Sequence, residues 1–181
     1  MNNGTLTTEV VAGLMQATLF AAEKHRGQRR KDAGRTPYIN HPIMVTNLLT
    51  NVGQIADLET LQAGMLHDTI EDTDTTADEL EEHFGVEVRS LVLELTDDKD
   101  LEKAERKRLQ IEHAPHMTPR AKCIKIADKI ANLTDLRNAP PATWPEERMQ
   151  QYVVWSRQVV DGCRGHNRSL ELRYDEVAGA F

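Results

Sequence analysis

The chain has 181 residues, with 29 acidic against 22 basic side chains and a formal net charge of −7. That balance argues against non-specific nucleic-acid binding, which needs a basic face, and the length suits one domain with a substantial core. Aromatics are scarce while Ala, Leu, Glu and Arg are plentiful, which leans towards helix, and the two cysteines, Cys123 and Cys163, form neither a C-x-x-C pair nor a disulfide framework.

Thr7 or Thr8 can cap a first helix that runs to about residue 24, with Val11, Leu14, Ala17, Thr18 and Ala21 on one stripe. No basic segment precedes residues 10–22, which include Gln16 and Thr18 and are flanked by Glu9 and Glu23. The stretch therefore reads as a core helix rather than a signal peptide or membrane span, and the cytoplasm is the simplest location. Residues 27–38 form a polar loop punctuated by Gly27, Gly34 and Pro37, with Arg29, Arg30, Lys31 and Arg35 within seven positions. Such a run suits either a solvated surface or an anion clamp set directly before His41. Asn40-His41-Pro42 opens a second helix, with Pro42 at a tolerated first-turn position and Ile43, Val45, Leu48 and Leu49 carrying it inward.

A third helix over 57–67 ends in Leu66-His67-Asp68-Thr69-Ile70-Glu71-Asp72. His67 and Glu71 stand four apart, as do Asp68 and Asp72, so on a helix or a helical turn each pair projects from one face. Two carboxylates at that spacing repel unless a cation sits beside them, and buried charge is costly unless it is paired or ligates a metal. A cap or a solvated turn explains one such group. Four of them in six residues point to a divalent metal site with catalytic carboxylates beside it.

Thr76-Ala77-Asp78-Glu79 is a capping box opening a short helix that ends near Phe84-Gly85, and residues 86–96 form another, with Val88, Leu91, Val92 and Leu95 inward. After the polar turn Thr96-Asp97-Asp98-Lys99 comes a charged helix over 102–113, whose Lys103, Arg106, Lys107 and Arg108 read as solvated. Pro115 and Pro119 bracket a linker, and Thr118 caps a helix over 119 to about 138. There Ala121, Ile124, Ala127, Asp128, Ala131 and Asp135 fall on or near one side. Asp128 thus stands on an apolar stripe, where either a buried Lys or Arg satisfies it or it is a further ligand of the metal; in the latter case Asn132 faces the same cavity. The Pro140-Pro141 turn leads to a helix over about 145–162, capped by Thr143 or Trp144 and packed through Met149, Tyr152, Val153 and Val159. Residues 165–167 break it, and a short helix follows. No period-2 pattern, repeat or low-complexity tract interrupts the series. The prediction is an all-α single domain of about eight to nine helices over 1–181, with a metal-binding core at about 25–138 and C-terminal helices at 145–178. A homodimer is compatible with a helical protein of this size, although no stretch demonstrates an interface.

His41, the His67-Asp68 dipeptide and Asp128 give an H…HD…D pattern that resembles the HD metal-dependent phosphohydrolases. Around it, His25-Arg-Gly-Gln-Arg-Arg-Lys31, Pro37-Tyr-Ile-Asn-His-Pro42, Leu66-His-Asp-Thr-Ile-Glu-Asp-Thr73 and Ile126-Ala-Asp-Lys-Ile-Ala-Asn132 resemble the hydrolase domain of the RelA/SpoT alarmone enzymes, most nearly the small stand-alone type of metazoan SpoT homologue, over nearly the whole chain. The resemblance implies one HD-domain helical bundle and leaves no residues for a synthetase domain. It implies metal ligation by His41, His67, Asp68 and Asp128, with Mn²⁺ the usual ion, a mixed set suited to a catalytic site. Glu71 and Asp72 become the catalytic pair, Arg30 and Lys31 the phosphate contacts and Asn132 a pocket residue. Lys99 or Lys129 would help neutralise pyrophosphate, and Tyr38 would line the purine pocket unless it is simply structural after Pro37. The family commonly has Arg where this chain has Thr134.

The implied reaction is metal-dependent hydrolysis of the 3′-pyrophosphate of ppGpp or pppGpp to GDP or GTP and pyrophosphate. The stand-alone branch is also associated with a 2′-phosphatase activity on NADPH, which makes that nucleotide the rival substrate. From a different class, the rival is a catalytically inactive nucleotide sensor, against which intact Glu71 and Asp72 argue. The partner is a small nucleotide in each case, with neither nucleic acid nor membrane involved.

Overall fold

In the computed structural model, which describes residues 7–181, the helices run in the order α1 (Thr8–Lys24), α2 (Asn40–Asn51), α3 (Leu58–Leu66), α4 (Thr69–Asp72), α5 (Ala77–Leu95), α6 (Lys103–His113), α7 (Pro119–Asn138), α8 (Glu146–Cys163) and α9 (Arg168–Ala178). A 3-10 turn, Ala114–His116, links α6 to α7. The fold is all-α as predicted; among the described residues the one β feature is an isolated antiparallel bridge between Arg29 and Pro37 in the basic loop. No helix among them is long and apolar enough to cross a membrane.

Side-chain caps set many of the starts. Thr7, Asp57, Thr76, Thr118 and Asn167 each accept a hydrogen bond from the backbone N–H three residues on, worth about 1 kcal/mol per cap. The box at Thr76 is half formed, because Glu79 turns to Lys24 at 3.0 Å and ties α5 to the end of α1. The predicted cap of α8 is wrong: neither Thr143 nor Trp144 caps it, and Pro145 holds that position without a side-chain bond. Trp144 packs instead against the core. The two helices predicted on either side of Phe84-Gly85 are one element, α5, bent at Gly85, whose φ of +85° is a left-handed value that a Cβ would resist.

Two helices form the inside. α3 is buried from Thr60 to Leu66 and receives α1, α2 and α5; α7 is buried on every side from Ala121 to Ala131 and receives α2, α5, α8 and α9. Each fully sealed side chain here, such as Leu61, Leu66, Ile124 or Ile130, contributes roughly 2 kcal/mol of apolar burial. The one-sided stripe predicted for α7 understates it. Lys122 and Lys125 fall inside as well, because their ammonium groups reach the carbonyls of Pro115 at 2.8 Å and Leu95 at 3.2 Å. α2 crosses α3 closely: a Cβ at Gly64 would lie 2.6 Å from Leu49 Cδ1. That contact fixes how near His41, on α2, can come to His67, at the end of α3.

Candidate active site

Three helical segments converge on one polar cluster. His41 sits in the first turn of α2, His67 and Asp68 in the break between α3 and α4, and Asp128 on the buried middle of α7. His41 Nε2 is 3.2 Å from Asp128 Oδ1 and 3.6 Å from Asp68 Oδ2, while His67 Nε2 is 3.1 Å from Asp68 Oδ2 and 3.9 Å from Asp128 Oδ1. One donor atom from each of His41, His67 and Asp128 lies within 4.8 Å of the other two. The predicted helix over 57–67 therefore stops one residue short. His67 and Asp68 lie outside it, and the bonds from Asp72 N–H to the Asp68 carbonyl, 2.8 Å, and from Thr73 N–H to the Thr69 carbonyl, 3.0 Å, keep the helical step through α4.

The donor set fits a divalent cation. His67 Nδ1 donates to the Gly64 carbonyl at 2.9 Å, which fixes the aim of the ring and turns Nε2, buried and without a hydrogen-bond partner, towards the cluster. A second group pins each carboxylate. Tyr38 OH donates to Asp68 Oδ2 at 2.6 Å; Asn132 Nδ2 donates to Asp128 Oδ1 at 2.5 Å and Lys129 Nζ to Asp128 Oδ2 at 3.1 Å. Burial opposes charge on both carboxylates, yet His67 and His41 hold Asp68, and Lys129 with His41 and His67 hold Asp128, well below the ordinary carboxylate range. Burial likewise opposes charge on His67, but Asp68 and Asp128 outweigh it and push its pKa up to about 9 in the metal-free chain. Two imidazoles facing two ionised carboxylates are a hard-to-borderline ligand set with the charge to hold a doubly charged ion.

Glu71 and Asp72 lie beside this cluster in different surroundings. Glu71 Oε2 accepts the Asp97 N–H at 3.3 Å, and Arg106 Nη1 stands 3.6 Å from its other oxygen. Burial, reinforced by the charges of Asp97 and Asp68, raises the Glu71 pKa. Asp72 accepts from Gln28 Nε2 at 2.9 Å and from Lys99.

In front of them opens a cleft of about 420 Å³ lined by Arg30, Lys31, Tyr38, Asp72, Asn132 and Tyr152 among others. Arg30 does not stand free: its Nη2 donates to Asp135 at 2.7 Å and to Asn132 at 3.0 Å, and its guanidinium lies 5.6 Å from the Tyr38 ring centroid. Lys31 lines the cleft. Lys99 is committed to Asp72, and the Tyr38 hydroxyl to Asp68. Lys129 is a correction. Predicted as a spare cation for the substrate, it is buried, tied to Asp128 and Gln110 and held 4.5 Å over the Trp155 ring. The sequence reading also missed the aromatic wall of the cleft, Trp144 and Tyr152, and the partner of Arg30, Asp135. Asp135 stood on the α7 stripe with Asp128, which was the available signal.

The HD-domain family model matches residues 17–157, and the chain belongs to that family of helical metal-dependent hydrolases. The guanosine-3′,5′-bis(diphosphate) 3′-pyrophosphohydrolase MESH1 of Homo sapiens is 59% identical over 88% of this chain and 89% of its own length. Its counterpart in Xenopus tropicalis is 54% identical over 91% and 92%. Among solved structures, a metazoan ortholog of SpoT, described as hydrolysing ppGpp and playing a role in starvation responses, superposes with a TM-score of 0.90 at 50% identity, covering 93% of this chain and 95% of that one.

Proposed function

We infer that this chain is a guanosine-3′,5′-bis(diphosphate) 3′-pyrophosphohydrolase, releasing pyrophosphate from ppGpp or pppGpp and leaving GDP or GTP. The observation that carries the reading is a two-histidine, two-aspartate cluster joined, through Tyr38 on Asp68 and Asn132 on Asp128, to a cleft lined by Asp72, Arg30 and Lys31. A 59% identity to a hydrolase named for that reaction supports the substrate. The site is read as part of one HD domain spanning 1–181.

His41, His67, Asp68 and Asp128 are assigned to a divalent ion, with Mn²⁺ the first choice. When bound, such an ion supplies Lewis acidity at a phosphoryl oxygen and acidifies water near neutral pH. The remaining work falls to side chains. Glu71 and Asp72 orient the attacking water; as its oxygen bonds to the phosphorus on the 3′ oxygen and the P–O3′ bond breaks, they take its proton and deliver one to the departing 3′ oxygen. The two carboxylates stand in unlike environments, which allows the acid and base parts to divide between them. Arg30 and Lys31 neutralise the leaving pyrophosphate, Arg30 through its planar fork, and Asn132 links that fork to Asp128. Tyr38 holds Asp68 through its hydroxyl while its ring lines the cleft.

The deciding experiment measures pyrophosphate and orthophosphate release from ppGpp and from NADPH in parallel, with Mn²⁺ and with EDTA. Mn²⁺-dependent pyrophosphate from ppGpp is the expected result. Orthophosphate from NADPH at much higher efficiency would keep the site and replace the substrate. Release from neither would leave a nucleotide sensor.

A further inference from the structure

His25 and Gln28 belong neither to the ligand set nor to the carboxylate pair, yet they are tied to both. His25, the C-cap of α1, is 2% exposed. Its Nδ1 is 2.6 Å from Gln28 Oε1, its Nε2 is buried without a partner, and its ring packs 4.8 Å from that of Tyr38, whose hydroxyl holds Asp68. The Gln28 backbone is anchored on both sides, its N–H donating to the His25 carbonyl at 2.9 Å and its carbonyl accepting from Tyr38 N at 3.2 Å. Its side-chain Nε2 reaches Asp72 Oδ2 at 2.9 Å, and Lys99 takes Asp72 Oδ1.

What each group can donate or accept sets the direction of this run. A carboxylate with an ammonium on one oxygen offers its other oxygen as an acceptor, so the Gln28 amide presents its NH₂ to Asp72 and its carbonyl to His25. Nδ1 of His25 must then carry the hydrogen. A proton added to Nε2 would be a buried donor without an acceptor, so the ring stays neutral and in one tautomer. With its far end fixed by His25, the Gln28 amide cannot turn over, and Asp72 is left with one orientation.

We propose that His25 and Gln28 are a positioning pair that aims Asp72 at the reacting water through a one-way run of hydrogen bonds, Nδ1–H to Oε1 and Nε2–H to Oδ2. The proposal rests on the hydrolase reading above and adds two residues to it that touch neither the ion nor the bond being broken.

Three variants test it in the full chain with ppGpp and Mn²⁺. Gln28→Glu keeps an acceptor for His25 but sets a carboxylate against Asp72, Gln28→Met removes both bonds at similar volume, and His25→Phe keeps the ring against Tyr38 without Nδ1–H. Each is expected to lower kcat by about tenfold or more while KM stays within about threefold. The Gln28→Met/His25→Phe double variant should lose no more than the worse single, since both act through Asp72. Independently, ¹⁵N NMR of the wild-type chain, with diamagnetic Zn²⁺ or Mg²⁺ in place of Mn²⁺, should show the His25 imidazole, assigned by its contact with the Tyr38 ring, in the neutral Nδ1–H form with a metal-free Nε2, distinct from the Nδ1–H ring of the ligand His67. A raised KM with unchanged kcat would make Gln28 a substrate contact and overturn the proposal. Multiplying losses in the double variant would also overturn it, and so would an Nε2–H tautomer, even if a variant fails to fold. A wild-type chain that releases nothing from ppGpp removes the hydrolase reading instead, and the tautomer is measured regardless.

Discussion

The histidine–aspartate cluster is held from behind by packed helices, whereas the cleft in front of it is walled by a loop and by side chains far apart in the chain. His41 and Asp128 ride on α2 and α7 and His67 caps the end of α3, and each side chain of the cluster but His41 has a second contact that fixes its aim: Gly64 for His67, Tyr38 for Asp68, Lys129 and Asn132 for Asp128. The cleft instead draws Arg30 and Lys31 from the loop braced by the Arg29–Pro37 bridge, Ala139 and Trp144 from the connection between α7 and α8, and Tyr152 from α8. The geometry of the histidine–aspartate cluster is thus set by the core, and on the proposed function discrimination between substrates is left to parts with more backbone freedom.

If that division is right, changes in the two regions should fail in different ways. The largest effect is expected for Asp128→Ala or Asp68→Ala: turnover falls at least about a thousandfold, while the metal-free chain keeps its helical circular dichroism, with a lower melt for Asp128→Ala because Lys129 is left buried without its counter-ion. Substantial residual turnover would sink the ligand assignment. Next comes Lys129→Met, which strips a buried carboxylate of its counter-ion and should cost about 3 kcal/mol in urea unfolding of the metal-free chain. Part of that loss should return on adding Mn²⁺, because the ion then balances Asp128; no recovery would separate Lys129 from the metal site.

On the cleft side, Arg30→Met should raise KM about tenfold with metal affinity, measured by calorimetry, unchanged. A parallel loss of metal binding would show the two regions to be one. The smallest shift in stability concerns Glu71, whose carboxyl pKa is raised by burial and by Asp97 and Asp68. A group that holds its proton more tightly when folded stabilises the chain below its ordinary value of 4.5 and loses that contribution as pH rises through the raised folded value. At pH 8 the ionised Glu71 is therefore a cost. Glu71→Gln, which keeps an acceptor for Asp97 N–H, should abolish turnover yet melt slightly higher than wild type at pH 8, with the difference vanishing near pH 4; a lower melt at pH 8 would contradict the environment described for this carboxylate.

The ligand cluster was legible in the sequence for a local reason. His67, Asp68, Glu71 and Asp72 crowd charge into six residues after an apolar helix, and Asp128 interrupts an apolar stripe. Helical spacing alone carries that information. The depth of α7 was not legible, because Lys122, Lys125 and Lys129 interrupt its apolar pattern, and what brings Lys122 and Lys125 inside are carbonyls that only the packed chain supplies. The cleft wall was hidden for the same reason: Arg30 meets Asn132 and Asp135 across more than a hundred residues, 102 and 105 in sequence. At the break after α3 a local bond, from the His67 ring to Gly64 three residues back, combines with a tertiary one, the approach of α2 at Gly64, and only the first lies within reach of the sequence.

The Arg30–Asp135 pair has a kinetic consequence. On the proposed reading of Arg30, an arriving phosphate does not meet a waiting cation; it must trade places with a resident carboxylate 2.7 Å from the guanidinium. The exchange makes affinity the difference between two ion pairs, and the freedom of the Arg30 side chain is already spent before the substrate docks. When the phosphate departs, the same carboxylate stands ready to reclaim the fork, so the residue that weakens capture also hastens release, and a chain lacking it would grip its product longer.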